Sequence, residues 1–226
     1  MSDRAIMDQC VVLHGLGASD IQQIAANTRM VVVLIDPGNN DMTKSSSATN
    51  RERLVAACEL AALRLGQAAL GPMISRNQFD RIADHALETL RAADIFPADD
   101  LSALEKALED ESCRKAIGIS LNGLLHGKRG MQERFEHWIG VLKSHDLATW
   151  TMATVWPFLL HPDRFLMIER PLQVMALAGP DQAYKLPAKP DWAGYRDSQR
   201  LAHRLKSRFQ ADDMLNLYLM LNSANP

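Results

Sequence analysis

The sequence predicts a mainly α fold: an irregular multi-helix bundle with at most one or two short β-strands. Three observations lead there. Apolar residues recur at helical spacing in seven or eight segments, and short Gly, Pro or Asp signals separate those segments. Only "RMVVVLIDPGNN", with its run of β-branched residues and terminal turn, reads as extended.

From the N-terminus, the apolar run Met30–Ile35 is expected to be a short buried strand, and "RFLMIE" is a candidate partner for it. "GNNDMTKSSSATN" lacks periodicity and is expected to be a mobile loop. Asn50 would then cap a helix carrying Leu54, Cys58, Ala61 and Leu65 on one face, with Gly66 as its end. Ser75 is placed to cap the next, striped by Phe79, Ile82, Ala83, Ala86 and Leu90. Leu101, Leu104 and Leu108 mark a third stripe, and Ile117, Leu121, Leu124 and Leu125 a fourth. Met131, Phe135, Trp138 and Leu142 mark a fifth. Pro157 and Pro162 bracket the end of a helix that begins near Ala148, and Pro180, Pro187 and Pro190 predict an extended connector. Two helices close the chain, roughly "WAGYRDSQRLAHRLKSRF" and "DDMLNLYLMLN".

A chain of 226 residues suits one helical domain, 1–226, with a bilobed alternative of lobes 1–146 and 147–226. Cys10, Cys58 and Cys113 share no C-x-x-C spacing and read as buried thiols. "MSDRAIMDQC" lacks a signal-peptide layout, and no apolar run is read as approaching the roughly 20 residues of a membrane span. A cytoplasmic protein without a membrane partner is therefore expected. The formal net charge of −2 gives no global attraction to nucleic acid, so such a partner would need a local basic patch.

The familiar catalytic signatures are absent: no phosphate-loop, zincin or dinucleotide fingerprint occurs. No cofactor or metal is expected. "GISLNG" places Ser120 in only a loose likeness of a nucleophile elbow, and Glu133 with His137 offers two metal ligands without a third. A weak catalytic candidate is the set His161, Asp163, Arg164 and Glu169 in "WPFLLHPDRFLMIERP", with Trp156 and Trp192 as walls. The same residues also read as a buried turn in which Asp163 caps the next segment and Arg164 pairs with Glu169 or with a more distant acid.

Two features suit phosphate. In "LHGLGASDIQQIA", Gly15 and Gly17 allow a tight turn and close backbone approach ahead of a helix N-terminus. This stretch resembles the helix-hairpin-helix motif of DNA-backbone-binding proteins. The resemblance implies backbone contact at Gly15 and Gly17, and in the related glycosylases a catalytic aspartate stands near the distance of Asp36. Ser19 and Asp20 stand where those enzymes carry lysine, and a plain connector is the other reading of the turn. The second feature is Arg196, Arg200, Arg204 and Arg208, which recur every fourth residue and form a row along one helix side. Its alternative is a solvated face neutralised by Asp197, Asp212 or Asp213.

The C-terminal third carries "TWTMATVWPFLLHPDRFLMIERPLQVMALA", then "YKLPAKPDWAGY", then "DDMLNLYLMLN". These resemble an uncharacterised group of bacterial helical proteins with W-x-x-A-T-x-x-P-F-L-x-x-P-D-R, then P-x-W-x-x-Y, then an acidic D-M segment. The resemblance implies a shared architecture and no particular activity.

The leading expectation is a helical, nucleic-acid-associated protein that grips phosphate backbone through Gly15, Gly17 and the arginine row. One alternative is a protein–protein interaction module without catalysis, suggested by eleven methionines and by Trp and Tyr residues expected at the surface. The other is an enzyme built around His161, Asp163, Arg164 and Glu169.

Overall fold

The computed structural model describes residues 40–169 and 186–223, with side chains over 50–169 and 186–222. The chain divides into two units, Met1–Asn40 and Asp41–Pro226. The described part is mainly helical, and no strand occurs among the described residues. Met30–Ile35 lies outside them.

The first helix, α1, runs Asn40–Leu65 and is followed at once by α2, Gln67–Ser75. Helix α1 therefore starts ten residues before Asn50, through the stretch predicted to be a loop. The reason is cooperative. "RERLVAACELAALRL" already nucleates helix, and extending it upstream through Ser, Thr and Ala costs little, even without an apolar stripe to signal it. Gly66 ends α1 as expected, with extended backbone (φ −62°, ψ 159°). A Cβ there would stand 2.3 Å from the Ala62 carbonyl oxygen, so the break requires glycine.

Together Asn50–Ser75 are long and apolar enough, by length and composition, to cross a membrane. The expectation of no such run missed this, because the flanking charges at Arg51, Glu52 and Arg53 and the interruption at Gly66 conceal it. Its inward residues Leu54, Ala57, Ala61, Leu65, Leu70 and Met73 belong to the protein core.

Helix α3 spans Phe79–Ala93. Ser75 does not cap it; that residue ends α2, where its hydroxyl donates to the Gly71 carbonyl at 3.0 Å. Helices α4 (Ala98–Ala107), α5 (Glu111–His126) and α6 (Met131–Ser144) carry the expected stripes inward, with Leu104, Leu108, Ile117, Leu121, Leu124, Leu125, Phe135, Trp138 and Leu142 buried. Asp110 caps α5 by accepting the Cys113 N–H at 2.8 Å. Helix α5 is the hub, packed by α2, α3, α6 and the following α7.

Helix α7, Trp150–Leu160, is buried on nearly every side, which is why "WTMATVWPFLL" has almost no polar face. Thr149 caps it through the Met152 N–H. The helix runs through Pro157 and stops at His161, within the expected boundary. The connector before α8 is non-helical over 186–191, and the Trp150 indole N–H is tied to the Pro187 carbonyl at 2.7 Å. Helices α8 (Trp192–Arg208) and α9 (Met214–Ser223) complete the body. One cluster of buried side chains runs from Leu54 to Tyr218 and crosses residues 146–147 without a break.

Candidate nucleic-acid interface

Asp191 starts α8 by accepting the Gly194 N–H at 2.7 Å. The helix then buries Tyr195, Ser198, Gln199, Leu201, Ala202 and Leu205. Tyr195 stacks on Phe135 of α6 at 4.3 Å between ring centroids and 5° between planes, which fixes the rotation of α8 on the body. That rotation leaves Arg196, Arg200, Arg204 and Arg208 exposed. Four residues of helix rise about 6 Å, so the row extends roughly 18 Å.

The row is divided electrostatically. Arg196 Nε meets Asp197 Oδ1 at 2.9 Å, and Arg200 Nη1 reaches the same oxygen at 3.7 Å. The hydrogen bond to Asp197, then its charge, raises the Arg196 pKa above its ordinary value. Arg204 and Arg208 have no carboxylate partner among the described residues. The two other acids expected to neutralise the row are committed elsewhere. Asp213 accepts the Asn216 N–H at 2.6 Å at the start of α9 and lies 3.8 Å from Arg51, while Asp212 accepts from the Asn216 side chain at 3.1 Å. The C-terminal half of the row, with Lys206 between its arginines, is thus a cationic segment without a carboxylate partner among the described residues. Gly15, Gly17 and Asp36 lie outside the described residues.

The described residues of "WPFLLHPDRFLMIERP", 156–169, form the end of α7, a turn and a non-helical arm. The Arg164 and Phe165 N–H groups both donate to the His161 carbonyl, at 3.0 and 3.1 Å, closing the turn. Asp163 caps no helix, because residues 165–169 are not helical. Arg164 does not pair with Glu169. Its guanidinium lies 5.5 Å from the centre of the Phe165 ring, whereas the Glu169 carboxylate accepts the Tyr218 hydroxyl at 2.9 Å and the Asn222 amide at 3.5 Å. Burial depresses the half-buried His161 below its usual value; Asp163 opposes this, and Arg164, His126 and Arg134 reinforce it. Trp156 lines a small apolar cavity with Trp138 and Leu121, while Trp192 sits 6.0 Å from both Phe135 and Tyr195. That cavity holds about 10 Å³, room for one water at most, against roughly 300–1,000 Å³ for a substrate pocket.

Two residues that organise this arm escape a reading for catalytic motifs. Gln199 stands in for a neighbouring strand: the Leu166 N–H donates to its Oε1, and its Nε2 donates to the Leu166 carbonyl, both at 2.8 Å. Thr154 donates to the Trp150 carbonyl at 2.7 Å and accepts the Ile168 N–H at 2.9 Å. The arm therefore needs no partner strand for these groups. A signal was present. Gln199 occupies the buried register between Tyr195 and Ala202, and Thr154 sits inside an otherwise apolar helix, so each polar group had to meet a specific partner.

The remaining candidates are dispersed. Ser120 is buried, and its hydroxyl has no hydrogen-bond partner among the described residues. Glu133 pairs with Arg129, His137 is exposed, and no group of three metal-ligating side chains occurs among the described residues. The exposed Trp and Tyr surface expected of an interaction module does not occur among the described residues: Trp138, Trp150, Trp156, Tyr195 and Tyr218 are buried and Trp192 is partly buried. Their helical register alone could place them inward or outward, and the body surrounds them. Among the described residues the exposed large apolar side chains are Leu63, Ile119, Phe209 and Met220. No family model matches the chain, and neither a curated protein nor a solved structure does so.

Proposed function

We propose that this protein associates with nucleic acid by holding phosphate groups along the exposed side of α8. The observation that carries this reading is the cationic segment Arg204–Lys206–Arg208, which meets no carboxylate among the described residues. Between residues 196 and 210 five Lys and Arg side chains accompany a single carboxylate, Asp197, which is shared by the first two arginines. A local patch of this kind overcomes the slightly acidic net charge at short range, because charges farther than about 8 Å are screened at physiological salt. Binding of this sort is sequence-tolerant, since backbone contacts position a protein without reading bases. The likeness of the C-terminal third to the bacterial group is proposed as shared architecture: Trp150, Thr154 and Gln199 act there as scaffold, leaving α8 to present the row.

Fluorescence anisotropy with a labelled oligonucleotide, titrated at several salt concentrations, tests the reading. The affinity should fall as salt rises, by roughly 0.7–0.9 log units per log unit of salt for each phosphate held. Replacing Arg204 and Arg208 together with glutamine should remove about two such contacts from the slope. Absence of binding at low salt, or an unchanged slope in the double variant, overturns it.

A further inference from the structure

The unpaired half of the arginine row ends at an exposed aromatic ring, and that juxtaposition names a partner class. Phe209 is the residue immediately after Arg208, at the C-cap of α8, and it is 49% exposed. It continues the register of buried Leu205, yet it is itself exposed. Among the exposed large apolar side chains of the described residues it is the aromatic one. Gln210 follows in the left-handed region at φ 53°, turning the chain toward α9. Phe209 therefore stands about half exposed at the chain position where the arginine row ends.

We infer that α8 takes a single-stranded nucleic acid, with phosphates on Arg204 and Arg208 and an unstacked base on the Phe209 ring; this rests on the function proposed above. Three physical points converge. Arg204 and Arg208 stand about one helical turn apart, roughly 6 Å along the axis, and two long guanidinium side chains at that separation can reach neighbouring phosphates of one strand. An aromatic face has no base to stack on along an intact duplex, whereas a single strand offers one at every nucleotide. Finally, the C-terminal end of a helix carries partial negative charge and repels phosphate, so an anion site there needs the local cations that Arg204, Lys206 and Arg208 supply. Arg196 and Arg200, held by Asp197, contribute less. The ligand is thereby placed at the end of the row that the aromatic ring occupies.

The test uses the full chain and two fluorescein-labelled probes of about 12 nucleotides, a deoxythymidine strand and a mixed-sequence duplex, a length within the usual footprint of single-strand binders. The single strand should bind tighter than the duplex. Phe209→Ala should weaken single-strand binding by about 5- to 100-fold, the range measured for stacked bases, with the salt slope unchanged. Phe209→Leu, which keeps apolar bulk without a planar face, should weaken it similarly. Circular dichroism of both variants should match the parent, because the ring is half exposed. If binding depends on Arg204 and Arg208 but Phe209→Ala changes it less than twofold, or the duplex binds as tightly, single-strand stacking is refuted while the parent reading stands. If Arg204→Gln with Arg208→Gln leaves binding intact, both fail together.

Discussion

Gln199→Met is the most informative perturbation of the scaffold. The replacement keeps side-chain length and volume and removes both hydrogen-bonding groups. Gln199 is 8% exposed and Leu166 is 3% exposed, so water cannot replace the lost contacts. The Leu166 N–H and carbonyl, each bonded to Gln199 at 2.8 Å, are left without those partners. Each orphaned buried group costs about 1–3 kcal/mol. The pair therefore costs about 2–6 kcal/mol, reduced by about 1 kcal/mol because a thioether is easier to bury than an amide. For a chain of this size that corresponds to a fall in Tm on the order of 10 °C. Urea denaturation followed by circular dichroism measures it directly. Thr154→Val removes the acceptor for the Ile168 N–H on the same arm, so the double variant should lose less than the sum of the two single losses. A change within about 0.5 kcal/mol for Gln199→Met, the range of ordinary surface substitutions, would refute the claim that this side chain replaces a strand.

Gly194→Ala should destabilise by about 1–3 kcal/mol in the same assay, because its Cβ would stand 2.9 Å from Pro187 Cδ and 3.0 Å from Trp150 Cη2. Helix propensity alone would predict a gain, so a stabilised variant contradicts the packing. His161 has its folded pKa lowered below 6.5, mainly by burial. Its contribution to stability is then complete above the ordinary value and is lost as pH falls through the lowered one. His161→Asn should flatten the acid side of a Tm-against-pH profile; an unchanged profile would contradict this. The Cys58 thiol is pushed up to about 12 by burial, then by Asp213 and Glu59. Iodoacetamide at neutral pH should alkylate it many-fold more slowly in the native protein than in urea, as read by peptide mass spectrometry.

Much of the fold was legible because periodicity reports the buried face of each helix. Ile117, Leu121, Leu124 and Leu125 lie on the side of α5 that the 3.6-residue repeat assigns to the core. Boundaries were less legible where helix continued without a stripe, as before Asn50. Capping residues also misled: Ser75 has good N-cap chemistry but ends a helix, because its hydroxyl returns to Gly71. Exposure of single aromatics was illegible for a different reason. Register places a side chain on a face, but only tertiary packing decides whether that face is covered, as for buried Trp156 and half-exposed Phe209.

The site divides in the same way. The spacing of Arg196, Arg200, Arg204 and Arg208 revealed the row, yet nothing in that spacing distinguishes its two halves. That depends on which carboxylates turn toward it, and Asp213 is drawn away by Asn216 and Arg51. The polar residues of "HPDRFLMIE" looked equally suited to chemistry and to structure. Only the folded chain shows Glu169 held by Tyr218 and the turn closed on the His161 carbonyl.

The most direct test of the anion site compares two double variants in salt-titrated anisotropy: Arg196→Gln with Arg200→Gln, and Arg204→Gln with Arg208→Gln. The protein's own Asp197 already occupies the first pair, so their removal should change the salt slope by well under one unit, whereas removing the second pair should lower it by about 1.4 on a single strand. Equal slopes for the two variants, or the larger loss from Arg196 and Arg200, would contradict the placement of the anion site at the far end of α8.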